Sequence, residues 1–425
     1  MTRVVLVGGG YVTLHACAEL VRRLGSRVRR GDVEVVVISA DDCHSFHGLT
    51  GEVVAGILPF ERTRTPLAEA CPLATVVHGT VTHVDPLART VTVRRVGSES
   101  AEELTYDQLV VGTGGREPVG TVPGLAGHGL TLRGPGEIEA LLGHLDQLLR
   151  QGAPVRYDVG DAGADVTGDR HRVVVAGGGV AGAELAAAVA DRGRGRLEVL
   201  LVHSGEQLLP ELRQRHPRLA ERSEHELERL GVRVLLSTRL WEVTQDGAVL
   251  RMGSGAQAGQ LVTVPGTVLA TIGQAPVQLP GLEALARDGR GRLVTRSDLS
   301  VGDGLWSAGD AARVLHPRTG DPVPANALWA IKGGAHLGRN LARALQGRPT
   351  RPFGYQGLGQ AASFGLGRSV GDLYGVELTG QLAWTMRMAF FLRFMPSRRR
   401  AAAVVADLAA LTVGGRPRAA AGMVR

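Results

Sequence analysis

At 425 residues the chain is long for one domain and points to two or three. Its 60 glycines have no period of three, hydrophobic residues make up 44%, and Cys17, Cys43 and Cys71 form no CxxC pair; fibres, disorder, a disulfide scaffold and a cysteine metal site are excluded, and no metal is expected. The net charge of +7 comes without interleaved basic and aromatic residues, so nucleic acid is not an expected partner, and Lys332 is the only lysine among 48 Lys and Arg.

The N-terminus passes from Met1-Thr2-Arg3 straight into an apolar run, with no signal-peptide pattern, and no stretch of 18 apolar residues follows. The expectation is a cytoplasmic protein, either free or peripheral at the inner face of the membrane. The run 4–10 ends in three glycines, precedes a helical stretch at 14–24, and leads to a second apolar run at 33–38. The same order recurs: 172–179 reads RVVVAGGG, a helix is expected at 183–193, and an apolar run follows at 197–202. Continuously apolar strands separated by a glycine turn and a helix describe the parallel βαβ unit that binds dinucleotides. The first unit carries Gly8 and Gly10, with Thr13 where a third glycine is usual. The second carries Gly177, Gly179 and Gly182, with Glu184 two residues on. The first glycine permits the turn, the second lets backbone approach a pyrophosphate at the helix N-terminus, and the third lets helix and strand pack closely.

Strands are expected at 75–84, 90–95 and 104–112, and a Gly/Asp-rich surface loop at 151–171. Further strands are expected at 232–236, 240–244, 247–251, 260–271 and 293–306. Helix is expected at 324–346 and again at 378–412, which holds an aromatic and methionine cluster interrupted by Arg387 and Arg393. The fold class is α/β: two Rossmann-like domains, the second inserted in the first, plus a C-terminal helical segment. The boundaries expected are 1–118 and 272–350 for the outer domain, 119–271 for the inserted one, and 351–425 for the C-terminal region.

Three motifs extend this reading. Tyr106 to Gly114 resembles the YDxLVxxTG turn of the two-dinucleotide-binding-domain flavoproteins, Leu269 to Gly273 its counterpart in the inserted domain, and Ser307-Ala308-Gly309-Asp310-Ala311 their GD motif. Within that superfamily the chain resembles the type II NADH dehydrogenase branch over nearly its whole length, through Cys43 to Gly56, Arg339-Asn340-Leu341, Pro352 to Tyr355, Ala361 to Val370 and Leu378 to Trp384. The absence of any cysteine after Cys71 sets it apart from sulfide:quinone and disulfide reductases.

The resemblance implies FAD and NADH or NADPH as cofactors. It implies contacts to FAD from Gly8, Gly10, Thr13, Ser39, Val81, Thr113, Gly114, Gly309 and Asp310. It implies contacts to the nicotinamide dinucleotide from Gly177, Gly179, Val180, Gly182, Glu184, His203 and Gly273. Three positions depart from the pattern. Ser39 and His203 stand at the strand ends where an acid normally holds the ribose, which leaves NADH against NADPH open. The glutamine-rich quinone motif is replaced by Ala327-Leu328-Trp329-Ala330-Ile331-Lys332-Gly333. Lys332 and Glu184 are therefore the candidate catalytic residues, and Ala327, Leu328, Ile331 and Lys332 the candidate acceptor site; Lys332 is expected beside the flavin or paired with Glu184.

The function implied is hydride transfer from NAD(P)H to FAD and electron transfer to a quinone-like acceptor. The alternatives are a soluble flavoenzyme of specialised metabolism, acting on a small molecule, O2 or a partner redox protein, and a redox-responsive flavin-binding protein. The segment 378–400 is expected to face either a membrane surface or a second subunit of a homodimer.

Overall fold

A computed structural model describes residues 1–134, 136–151, 171–255 and 258–414. The expected loop at 151–171 thus lies almost wholly outside the described residues. The first βαβ unit is present: strand Thr2–Val7, helix Tyr11–Arg29 and strand Val33–Ser39, with the two strands parallel and Val5 opposite Val36. These strands form the middle of an eight-stranded sheet that runs, in spatial order, Ser300–Gly302, Leu305–Ser307, Gln108–Val111, Thr2–Val7, Val33–Ser39, Thr75–Asp85, Thr90–Arg95, Ala101–Thr105. The strand Leu305–Ser307 arrives from beyond the second unit and pairs parallel with Gln108–Val111. The second unit is therefore an insertion in the first, as expected.

The inserted unit has a four-stranded parallel sheet in the order Arg233–Leu235, Leu197–Val202, His171–Ala176, Thr267–Ala270. An antiparallel sheet of Thr238–Val243, Gly247–Met252 and Leu261–Pro265 covers it. Three expected strands divide. The run 104–112 breaks between Ala101–Thr105 and Gln108–Val111; 260–271 breaks at Gly266, whose φ of +140° turns the chain; and 293–306 becomes Leu293–Val294, Ser300–Gly302 and Leu305–Ser307. An apolar run shows burial without marking the turn inside it.

Helix Ala327–Ala344 lies against helix Tyr11–Arg29 at backbone distance. A Cβ on Gly334 would sit 2.4 Å from the carbonyl oxygen of Val12, and one on Gly338 2.3 Å from that of Ala16. Only glycine allows this approach, which holds the Gly8–Gly10 turn against the Gly309–Asp310 turn. The C-terminal region opens with the antiparallel strands Ala361–Ser363, Ser369–Leu373 and Val376–Thr379. The single helix expected at 378–412 is two, Gly380–Phe394 and Arg398–Gly414, separated at Pro396, whose ring cannot continue a helix. Among the described residues, no helix is long and apolar enough to cross a membrane.

Candidate active site

Two helix N-termini face the nucleotide turns. Helix Tyr11–Arg29 begins after Gly10 and helix Val180–Gly193 after Gly179, and neither has a side-chain cap. Their first N–H groups are left for an anion. Gly8 (φ +108°) and Gly177 (φ +121°) make the turns in a region that side chains rarely adopt. Space is open beside Gly179, Gly114 and Gly273, and a Cβ on Gly10 would meet only the Gly112 carbonyl oxygen, at 4.0 Å.

The third position of each turn is solved differently. In the second unit a Cβ on Gly182 would lie 1.7 Å from the Gly177 carbonyl oxygen and 2.7 Å from Thr271 Oγ1. In the first unit the hydroxyl is on the helix and the glycine on the facing turn: Thr13 is fully buried, and a Cβ on Gly112 would meet its Oγ1 at 2.8 Å. Thr13 keeps the close helix–strand approach because Gly112 makes room for it.

Asp310 follows the strand Leu305–Ser307 on a short 3-10 turn. Its Oδ2 accepts from the side chain of Gln274 and lies 3.5 Å from Arg133 Nη1, while Oδ1 is buried without a partner. A buried carboxylate oxygen with no donor is a position for a hydroxyl that the chain does not supply. With the uncapped helix and open glycine turn beside it, the residues fit FAD. Ser39 is buried and accepts from the Asp41 N–H at 3.2 Å. Thr113 donates to the Val277 carbonyl at 2.8 Å, tying the chain before the inserted unit to the chain after it. Val81 packs its side chain into the core between Val77 and Val93, so only its backbone could reach a ligand.

In the inserted unit the strand Leu197–Val202 ends at His203. The imidazole folds back under the glycine turn, and Nδ1 accepts from the Gly178 N–H at 3.2 Å. Burial lowers its pKa, so the ring is neutral, and no carboxylate occupies this strand end. Val180, at the start of the helix, lines a small cavity with Leu212, Ala361 and Ala362.

Glu184 lies one turn into that helix, where the C-terminal region packs against it. Its Oε1 accepts from the Ser363 N–H at 2.7 Å and lies 3.5 Å from Arg387 Nη2. Arg387 comes from helix Gly380–Phe394 and also donates to Glu52 Oε1 at 2.6 Å and to the Gly48 carbonyl at 2.9 Å. The Arg387 and Glu52 side chains are 4% and 1% exposed, and the Ser363 hydroxyl lies 3.1 Å from Glu52 Oε1. Four chain segments therefore meet around one guanidinium. Glu184 is 23% exposed yet deep in the protein body. Burial pushes its pKa up to about 7, against the pull of Arg387 and the Ser363 N–H. Glu184 is thus poised to hold or release a proton near neutrality.

The expected Lys332–Glu184 pair is not formed, because Arg387 occupies that role. Lys332 stands on helix Ala327–Ala344 with Nζ 5.7 Å from the Tyr355 ring centre and 5.2 Å from that of Phe394. Ile331 is buried, Ala327 and Leu328 are half-buried at the helix start, and Asn326 caps that start by accepting from the Trp329 N–H. Sequence reasoning missed Glu52, Ser363, Arg133 and Gln274. It registered Arg387 only as an interruption of an apolar helix, though an arginine within an apolar run is itself the signal of a buried partner.

The family model for the pyridine nucleotide-disulphide oxidoreductases matches residues 2–334. The chain belongs to the pyridine nucleotide-disulphide oxidoreductase family. As a member it is an oxidoreductase whose cofactors are FAD and a nicotinamide dinucleotide. Similar proteins include demethylphylloquinone reductase NdbB of Synechocystis, 26% identical over 93% of this chain and 92% of the relative. The type II NADH:quinone oxidoreductase of Staphylococcus saprophyticus is 23% identical over 91% of this chain and 93% of that protein. Among solved structures, NDH2 from Plasmodium falciparum in complex with NADH superposes with a TM-score of 0.81 at 14% identity, over 98% of this chain and 99% of that one. The fold of that structure is thus shared beyond the residues matched by the family model.

Proposed function

We propose that the protein oxidises NADH and reduces a quinone, and that Glu184 supplies a proton to the acceptor. The observation that carries this reading is the Glu184 carboxyl, set between the helix after the second glycine turn and the C-terminal region, where burial pushes its pKa up to about 7. Quinone reduction takes up two electrons and two protons, supplied as one hydride from NADH and one further proton. FAD, when bound, supplies the redox group that holds the electron pair between donor and acceptor. The uncapped helix after Gly179 orients the dinucleotide, Gly179 lets it approach, Gly182 keeps helix and turn packed, and Asp310 offers Oδ1 to FAD. The similar quinone reductases span the same length of chain, which supports a quinone as acceptor.

The same reading assigns 1–118 and 272–350 to FAD, 119–271 to the nicotinamide dinucleotide, and 351–425 to closing the acceptor side. The exposed Tyr374, Val376 and Leu382, near the helix that ends at Phe394, support contact of this region with a membrane surface. The deciding experiment is anaerobic NADH oxidation by the FAD-loaded protein with menadione. Menadione should raise the rate at least tenfold over protein without it, and an unchanged rate would remove the quinone reading.

A further inference from the structure

Lys332 has no carboxylate partner among the described residues. The charged groups that bear on it are Arg339 and Arg393, both positive, with Arg339 itself 3.7 Å from Glu19. His15 packs edge-on to Phe394 with ring centres 6.4 Å apart; burial and the neighbouring positive charges press its pKa down to about 4, so it adds no charge near neutrality. The ammonium lies over Tyr355 and Phe394, and Arg393 also lies over Phe394, 5.9 Å from the ring centre. Behind Tyr355 stands Trp329, its ring centre 4.7 Å away, and the Tyr355 hydroxyl is buried without a partner. The place is next to the flavin turn: a Cβ on Gly309 would meet Ala330, in the same helix, at 3.1 Å.

We propose that Lys332, Arg393, Tyr355 and Phe394 form a subsite for an aromatic acceptor that carries a negative charge, such as a carboxylate. This rests on the quinone reading above and names the class of acceptor within it. A cation without an acid, between aromatic faces, is a mismatch for a neutral ring, which must leave the ammonium unpaired as it excludes water. For an anionic ring the same groups are complementary: Lys332 and Arg393, held over the aromatic faces, take its charge, the edges of Tyr355 and Phe394 line its apolar part, and the Tyr355 hydroxyl has a partner to donate to. The glutamines expected at this helix from the resemblance would hydrogen-bond a neutral carbonyl; Leu328 and Gly333 cannot, and Lys332 selects for charge.

The test is calorimetric binding to the FAD-loaded protein of 2-naphthoate and its neutral isostere naphthalene-2-carboxamide, neither of which accepts electrons. The wild type should bind 2-naphthoate at least tenfold more tightly than the amide. Lys332→Gln should bring that ratio close to one and Lys332→Arg should keep most of it, each variant being checked by its flavin absorbance. Equal affinities in the wild type, or a ratio unchanged in Lys332→Gln, would overturn the proposal. Because binding is read without turnover, a Lys332-dependent ratio supports the subsite even where menadione is not reduced, so the two readings fail separately. Where menadione is reduced, a sulfonated naphthoquinone serves as the charged substrate. Its Michaelis constant relative to that for menadione should rise about tenfold in Lys332→Gln, and an unchanged ratio would again count against the subsite.

Discussion

The two nucleotide-binding units share a strand–glycine turn–helix plan but are fastened to the rest of the molecule by different means. The first is held chiefly by backbone: Gly334 and Gly338 bring helix Ala327–Ala344 onto the carbonyls of Val12 and Ala16, and an ion pair along that seam, Arg339 to Glu19 at 3.7 Å, is half-exposed. The second is held by charge: Glu184 meets Arg387 and through it Glu52, while Arg192 reaches Asp146 at 2.5 Å and the Val54 carbonyl at 3.2 Å. A glycine seam does not respond to protons. An ion array whose outer carboxyl has its pKa raised to about 7 does, and on the function proposed above it lies on the side where the proton is delivered. On the same proposal, the difference puts rigidity around FAD and protonic adjustability around the nicotinamide and the acceptor.

The contrast breaks most visibly at Arg387. Removing one member of a buried ion pair leaves an uncompensated charge, at a cost of about 3–5 kcal/mol. Arg387→Ala should therefore lose stability of that order in urea unfolding, and adding Glu52→Gln should restore part of it; a loss under about 1 kcal/mol would mean the charges do not fasten the second unit. Next come the third positions of the turns. Gly182→Ala forces a Cβ against the Gly177 carbonyl, and overpacking of this kind costs about 1–3 kcal/mol. Nucleotide affinity, measured by titrating the flavin spectrum with NADH, should fall at least tenfold. Thr13→Gly in the first unit removes the β-carbon with its hydroxyl and methyl from a slot that Gly112 already opens and forces no atom into contact, so flavin retention after gel filtration should stay near the wild-type value. A change in cofactor preference, without loss of stability, is expected at His203. With no acid at this strand end, NADPH meets no repulsion, and the ratio of kcat/KM for NADPH to NADH should fall roughly tenfold in His203→Asp; an unchanged ratio would mean the strand end does not read the ribose.

What was legible in the sequence follows the same divide. Gly8, Gly10, Gly177, Gly179 and Gly182 announce both units, because a glycine turn between an apolar strand and a helix is a local pattern. The repeat of that pattern announced two units, and the insertion was legible through the resemblance carried by Tyr106 to Gly114 before the second unit and Ser307 to Ala311 after it. The site's chemistry was only half legible. Glu184 stood out by its place after the second turn, but Arg387 and Glu52 meet across 335 residues, and nothing local marks either as the other's partner. The exchange of Thr13 and Gly112 against Gly182 and Thr271 was hidden for the same reason: each half of the contact lies in a different segment. Lys332 was legible as an anomaly of composition, while its neighbours Tyr355 and Phe394 come from distant parts of the chain.

The proposed mechanism stands or falls on Glu184 giving the proton that completes acceptor reduction. Its carboxyl, with a pKa pushed up to about 7, holds the proton below that pH and loses it as pH rises through it. The measurement is the anaerobic pH profile of menadione reduction by the FAD-loaded wild type and by Glu184→Gln, with NADH-driven flavin bleaching as the reference. The wild-type rate should fall as pH rises through about 7. Glu184→Gln should be slower by roughly a hundredfold, within the usual range for loss of a general acid, and flat across that window while flavin bleaching is little changed. A variant that keeps both the wild-type rate and the wild-type pH profile would contradict this role for Glu184.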